Sequence, residues 1–189
     1  MLGYKKVNHL INFAAFFSFK MIRIQRATVA DVPALTGLIN RSYRGETAKK
    51  GWTTESHLLD GIRIDEDTLT GYIEDKDTVI LKCTNKGVLQ GSVYLNKKGN
   101  DLYFGMLTVD PDKQNTGTGK LLLKHVEWFA REQNCNRIHM TVISIRDELI
   151  AWYERHGFVK TGEVKPFPAD TKFGIQKQPL QLLVMEKYI

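Results

Sequence analysis

The stretch "VDPDKQNTGTGKLLL", residues 109 to 123, limits the fold more than any other part of the chain. A strand-like run ends at Val109, Pro111 and a polar loop follow, and Gly117 and Gly119 stand directly before a leucine-rich segment. Leu122, Val126, Phe129 and Ala130 recur at helical spacing, which predicts a helix with one apolar face starting at the glycines. Strand, tight turn and helix N-terminus must therefore come in succession. A helix N-terminus offers unpaired N–H groups and about half a positive charge, and glycine lets the backbone come close, so this unit suits a phosphate or another anion.

Two anion cradles do not fit these residues. A P-loop needs Gly six positions before its lysine and Ser or Thr just after it, where this chain has Gln114 and Leu121. The dinucleotide fingerprint needs Gly-x-Gly-x-x-Gly straight after a strand, but Leu122 stands in the third glycine's place and Pro111 to Thr116 intervene.

With 189 residues, 42% hydrophobic and 25% charged, the chain suits one globular domain with a sizeable core. The net charge of +6 is spread along the chain without a dense basic run. An anionic small ligand accounts for it as well as nucleic acid does, and no nucleic-acid or membrane partner is expected. Cys83 and Cys135 are isolated, which argues for free thiols in a reduced, cytoplasmic compartment. His9, His57, His125, His139 and His156 show no metal spacing, and no metal is expected.

Residues 1–20 contain two lysines before "LINFAAFFSF", which is too short to span a bilayer and is followed by no small-residue cleavage site. They read as a leader added by an upstream start codon or as a packed extra helix, with the domain proper at 21–189 from "MIRIQR" onward. A strand there leads to a helix begun by Asp31 and Pro33. From Arg41 to Asp77 a polar, glycine-punctuated zone holds an expected short helix from Thr53 or Thr54. "DTVILKC", "GVLQGSVYL" and "DLYFGMLTV" read as an antiparallel meander joined by turns at "TNKG" and "NKKGN". The helix at Gly119 follows, then a strand "RIHMTVISI", a helix from Asp147 to Arg155, and strands from Phe158 and over "LQLLVMEKY".

"QNTGTG" resembles the pyrophosphate-binding signature of the GNAT superfamily of N-acetyltransferases: Gln or Arg, two residues, Gly, one residue, Gly or Ala. The strand before it, the helix after it, and "ELIAWYERHGF" about thirty residues on extend the likeness over residues 21–189. The resemblance implies an α/β (α+β) fold with a mixed, mostly antiparallel central sheet flanked by helices on both faces. It also implies an acetyl-CoA-dependent N-acetyltransferase that moves the acetyl group directly to a primary amine within a ternary complex, and a homodimer is compatible with it. In this reading the backbone of Gln114, Asn115, Thr116, Gly117, Thr118, Gly119 and Lys120 binds the coenzyme pyrophosphate, and Leu107, Thr108 and Val109 pair with the pantetheine arm.

Acetyl transfer needs a neutral amine, a donor for the oxyanion and an acid for the departing thiolate. An alkylamine of pKa near 10.4 left protonated at neutral pH would forfeit roughly 4 to 5 kcal/mol of reactivity. Many family members carry a glutamate on the central strand as the base; here the only acid in "DLYFGMLTV" is Asp101, at its far end. Glu46 and Glu55 are the candidates, Glu55 preferred because "GWTTES" places Trp52 nearby. Tyr153 matches the family's general acid, and Arg146 replaces an asparagine common seven residues before it, as a contact to coenzyme phosphate or to substrate. A small-molecule amine is the expected acceptor, with a protein lysine or N-terminus, or a non-catalytic acyl-CoA sensor, as the alternatives.

Overall fold

The computed structural model describes residues 22–189; the expectations for residues 1–20 and for Met21 lie outside the described residues. Strand β1 (Ile22–Arg26) leads through a turn at Val29–Asp31 into helix α1 (Val32–Tyr43), with Pro33 in its first turn. Helix α2 (Gly45–Ala48), the two-residue strand β2 (Leu59–Asp60) and helix α3 (Glu66–Glu74) follow. Then come β3 (Thr78–Asn85), β4 (Val88–Lys98), β5 (Asp101–Val109), α4 (Thr118–Glu132), β6 (Arg137–Ile143) and α5 (Asp147–Glu154). Strands β7 (Val159–Pro166), β8 (Ile175–Gln176) and β9 (Gln181–Tyr188) end the chain.

No helix starts at Thr53 or Thr54. Residues 51–58 are turns and irregular backbone, because hydroxyls there take local partners and compete with a helical ladder. Thr54 Oγ1 lies 2.8 Å from Ser56 Oγ, and Thr53 Oγ1 donates to the Ser42 carbonyl at 3.3 Å. The helix of this region is α3, capped by Asp65, whose carboxylate accepts the Thr68 N–H at 2.8 Å.

The sheet has seven strands in the order β1-β3-β4-β5-β6-β9-β7, all antiparallel except the β5–β6 pair. Helices α1 and α3 cover one face, with Leu35, Ile39 and Leu69 against Ile80. Helices α4 and α5 cover the other, where Leu122, Val126 and Ile150 share a core with Leu81, Val93 and Phe104. The apolar stripe of α4 faces inward as its spacing requires: Leu122, Leu123, Val126, Phe129 and Ala130 are all buried. Among the described residues, no helix is long and apolar enough to cross a membrane.

Two irregularities in β5 prepare a cleft. Ser92 pairs with Thr108 and Tyr94 with Gly105, so Met106 and Leu107 together stand opposite Val93 alone. Met106 has φ +47°, a left-handed conformation that costs a non-glycine residue about 1–2 kcal/mol. The extra residue reverses which side chains point inward: Leu102 and Phe104 before it, Leu107 and Val109 after it, join the same core. Beyond Tyr103 the strand also parts from β6, since the parallel pairing covers only Asp101–Tyr103 with Arg137–His139. Arg137 holds the paired end together through ion pairs to Asp101 and, at 3.2 Å, to Glu186.

Gly91 supports this bend from β4. A Cβ there would lie 2.6 Å from the Thr108 carbonyl oxygen and 3.0 Å from Leu122 Cδ1, one of which is backbone and cannot yield cheaply. Gly91→Ala is expected to cost about 1–3 kcal/mol, lowering Tm by roughly 2–12 °C in calorimetry. An unchanged Tm would mean that β4 and β5 can separate without loss.

Candidate active site

The loop after β5 turns at Pro111 and Asn115, which has φ +60°, and enters α4 through Gly117 at φ +88°, ψ 0°. This left-handed entry is open to glycine without a steric cost, and no side chain caps the helix. The first backbone bond into α4 runs from Leu121 N–H to the Gly117 carbonyl at 2.9 Å. Among the described residues, the N–H groups from Gln114 to Lys120 have no hydrogen-bond acceptor. They form a concave set of donors at the positive end of a fifteen-residue helix, which fits a diphosphate.

Next to these donors lies a cavity of about 180 Å³. Asn115, Gly117, Thr118, Gly119 and Lys120 line one end, with Gln114 beside them. Leu107 and Val109 of β5 form one wall and Leu149, Trp152 and Tyr153 of α5 the other. The splayed strands are therefore bridged here by a slot, not by a ladder. Thr116 sits just outside it, its hydroxyl donating to the Lys113 carbonyl at 2.7 Å, while Thr108 is fully buried with its hydroxyl on the Met106 carbonyl at 2.9 Å.

The Gln114 side chain is spent within the protein. Its Oε1 accepts the Trp52 N–H at 2.9 Å and its Nε2 donates to Thr53 Oγ1 at 3.1 Å, which brings Trp52 and Thr53 into the cavity wall. Trp52 meets Trp152 edge to face at 5.9 Å between centroids. Arg146 does not line this cavity. The residue is buried, and its guanidinium donates to the carbonyls of Trp52 and Thr54, the latter at 2.6 Å, and so ties α5 to the same loop.

A second cavity of about 320 Å³ opens on the other side of the slot, and the two share Tyr43, Leu107, Leu149 and Tyr153. Glu55 and Arg146 line this second cavity, whereas Glu46 is solvent-exposed in a pair with Lys49 and lines neither. Glu55 Oε2 is 2.6 Å from Arg44 Nη1, and Arg44 also donates to the Phe173 carbonyl at 3.2 Å. Ile143, Phe167 and Leu182 of its lining pack with Leu58, Leu59 and Leu180, next to the β2–β8 pairing.

Tyr153 stands where the cavities meet. Its ring packs edge to face on Phe104 and Phe158, at 5.9 and 5.8 Å between centroids. Among the described residues nothing hydrogen-bonds its hydroxyl, and burial pushes the phenol far above its ordinary pKa, with Tyr43 and Tyr103 adding and Arg146 opposing. Tyr43, at the end of α1, donates its hydroxyl to the Leu107 carbonyl at 3.0 Å, and burial followed by the Glu55 charge raises its pKa to about 12. Sequence reasoning missed Tyr43, Arg44 and Arg63 as wall residues. Tyr43 falls in the apolar period of α1, and only the glycine after "SYR" hinted that the chain turns there.

A family model described as acetyltransferase (GNAT) domain matches residues 55–169, more than half of the chain. A curated relative, an amino-acid acetyltransferase of Ralstonia nicotianae, is 38% identical over 81 residues, 43% of this chain, and the match spans only 17% of that relative's length. The ribosomal-protein-S18-alanine N-acetyltransferase of Escherichia coli superposes with TM-score 0.67 at 18% identity, covering 89% of this chain and 94% of that one. An N-acetyltransferase of Thermoplasma acidophilum solved in complex with coenzyme A gives TM-score 0.63 at 17% identity, covering 89% of this chain and 99% of that one. At these identities the solved structures establish the shared fold, and the family model adds the sequence match: this chain belongs to the GNAT superfamily of acetyltransferases.

Proposed function

We propose that the protein transfers the acetyl group of acetyl-CoA directly to the primary amine of a small molecule, with the coenzyme in the first cavity and the amine in the second. The observation that carries this reading is the slot at Leu107 and Tyr153, where, with Tyr43 and Leu149, both cavities border the same residues. The free N–H groups from Gln114 to Lys120 hold the pyrophosphate, and Leu107 and Val109, unpaired with β6, offer the backbone edge against which an extended amide arm adds like a strand. Acetyl-CoA supplies a thioester. As the amine nitrogen bonds to the acetyl carbon the carbon–sulfur bond breaks, Tyr153 gives its phenolic proton to the sulfur, and the nitrogen of the adduct returns a proton to Tyr153 as it becomes the amide. A phenol whose pKa is raised by burial keeps that proton at every working pH.

Glu55 is the acceptor-side carboxylate. Arg44 Nη1 holds its Oε2 at 2.6 Å beside the second cavity, where the carboxylate draws an ammonium in and receives its proton. The curated relative's name, amino-acid acetyltransferase, favours a small acceptor, and two buried free thiols, Cys83 and Cys135, fit a reducing cytoplasmic setting.

Gly117→Val tests the coenzyme half. No atom lies within 4 Å of its missing Cβ, so the substitution leaves packing alone while straining a backbone at φ +88° and crowding the donors. Calorimetry should show acetyl-CoA affinity weakened by about tenfold or more. Unchanged affinity in the folded variant would remove the cradle from the reading.

Tyr153→Phe tests the chemistry. At saturating acetyl-CoA, kcat should fall about 100-fold, the low end for a general acid because a thiolate of pKa near 8.5 leaves readily, while coenzyme affinity holds. Equal kcat with chemistry rate-limiting would make Tyr153 a packing residue only.

The raised phenols also bear on stability. The unfolded chain loses tyrosine protons near pH 10, and the folded chain keeps those of Tyr43 and Tyr153 until pH 12 or above. Their contribution is full below pH 10 and is lost as pH rises through the folded values. Denaturant melts from pH 9 to 11.5 should therefore fall less steeply for Tyr153→Phe than for the parent. Parallel curves would place the phenol in contact with solvent.

A further inference from the structure

The second cavity has more positive than negative side chains: Arg44, Arg63 and Arg146 against Glu55 and Asp170. Arg44 is matched by Glu55, and Arg146 is engaged by two loop carbonyls. Asp170 is exposed at the rim, where its carboxylate accepts the Lys172 N–H at 2.8 Å. Arg63 is different. Among the described residues its guanidinium has neither a carboxylate within ion-pair distance nor a hydrogen-bond acceptor, although it lines the cavity.

The backbone of Arg63 is held as firmly as a strand. Asn40 of α1 accepts the Arg63 N–H at 2.7 Å and the Ile64 N–H at 3.2 Å, and donates to the Ile64 carbonyl at 2.9 Å, while the Ile64 side chain is 2% exposed. The guanidinium lies over the Tyr43 ring, 5.5 Å from its centroid. The hydroxyl of that same ring bonds the Leu107 carbonyl in the slot. A cation thus rests on Tyr43, a residue that both cavities share, with its planar donors unspent.

We propose that the acceptor carries a carboxylate as well as its amine, and that Arg63 binds this carboxylate while the amine points to the slot. This rests on the reading of the second cavity as the acceptor site. A carboxylate offsets the charge of the unmatched Arg63 and meets its guanidinium in the bidentate geometry that a lysine ammonium would not offer. A polyamine would bring further positive charge to a site that already has a surplus.

The test uses the full chain and matched acceptors: the twenty protein amino acids with β-alanine, 4-aminobutyrate and 6-aminohexanoate, each beside its carboxamide and its decarboxylated amine. Binding to the coenzyme A-loaded protein is read by calorimetry, and turnover by thiol release from acetyl-CoA. At least one carboxylate should surpass both uncharged analogues, and Arg63→Met should raise its KM or Kd roughly 10- to 100-fold while leaving the analogues and acetyl-CoA affinity unchanged. Arg63→Lys should recover part of the loss.

Carboxylate binding that Arg63→Met abolishes, without thiol release from any acceptor, would sustain the inference and defeat the acetyl-transfer reading. Turnover of uncharged amines as good as that of their carboxylates, or an Arg63→Met loss equal for both, would overturn the inference and leave acetyl transfer standing. No carboxylate preference in either measurement overturns it as well.

Discussion

Parallel pairing between β5 and β6 lasts three residues and then stops, and the site follows from that stop. Had the ladder continued past Tyr103, the edges of Leu107 and Val109 would be filled by β6 and no slot would lie between the cavities. At the paired end Arg137 joins Asp101 and Glu186, binding three strands with two carboxylates. At the open end the bulge at Met106 bends β5 away. Helix α5 spans the resulting gap from below, and Phe104, Phe158 and Tyr153 fill the wedge with three aromatic rings. The core thus holds open a cleft that the sheet by itself would close.

Burial and charge divide the work between the two sides of this cleft. On one side the positive potential comes chiefly from the main chain, through N–H groups and a helix end, with Lys120 as the cationic side chain of the lining. On the other side it comes from arginines, whose planar heads can be committed separately: one to a carboxylate, one to carbonyls, one to an aromatic face. The main-chain device suits a ligand common to a whole superfamily, since it asks little of residue identity beyond glycine.

Local signals made much of the fold legible. The apolar stripe of α4, the three-strand meander and the left-handed turn at Gly117 all depend on residues close together in sequence, and they formed where the spacing placed them. The splay, the bulge and the β2–β8 pairing depend on partners far apart, such as Leu59 with Gln176 or Arg146 with Trp52, and no local pattern encodes them. The Asp65–Thr68 cap of α3 was readable, but Gly71 and the acidic run hid the helix behind it. Tyr153 stood out only through the family resemblance. By spacing alone it is a core residue, and its ring is indeed in the core while the residue also lines both cavities.

Gln114 connects the two halves of the site. Its amide holds Trp52 and Thr53, and Arg146 grips the same loop from α5, so this loop is wall to one cavity and neighbour to the other. The loop cannot shift at Gln114 without breaking these bonds or carrying Trp52 along. Were ligands to sit on either side of such a wall, any ordering that the first imposed on it would not be required again of the second. Such a coupling would act equally in both directions, whichever ligand arrived first.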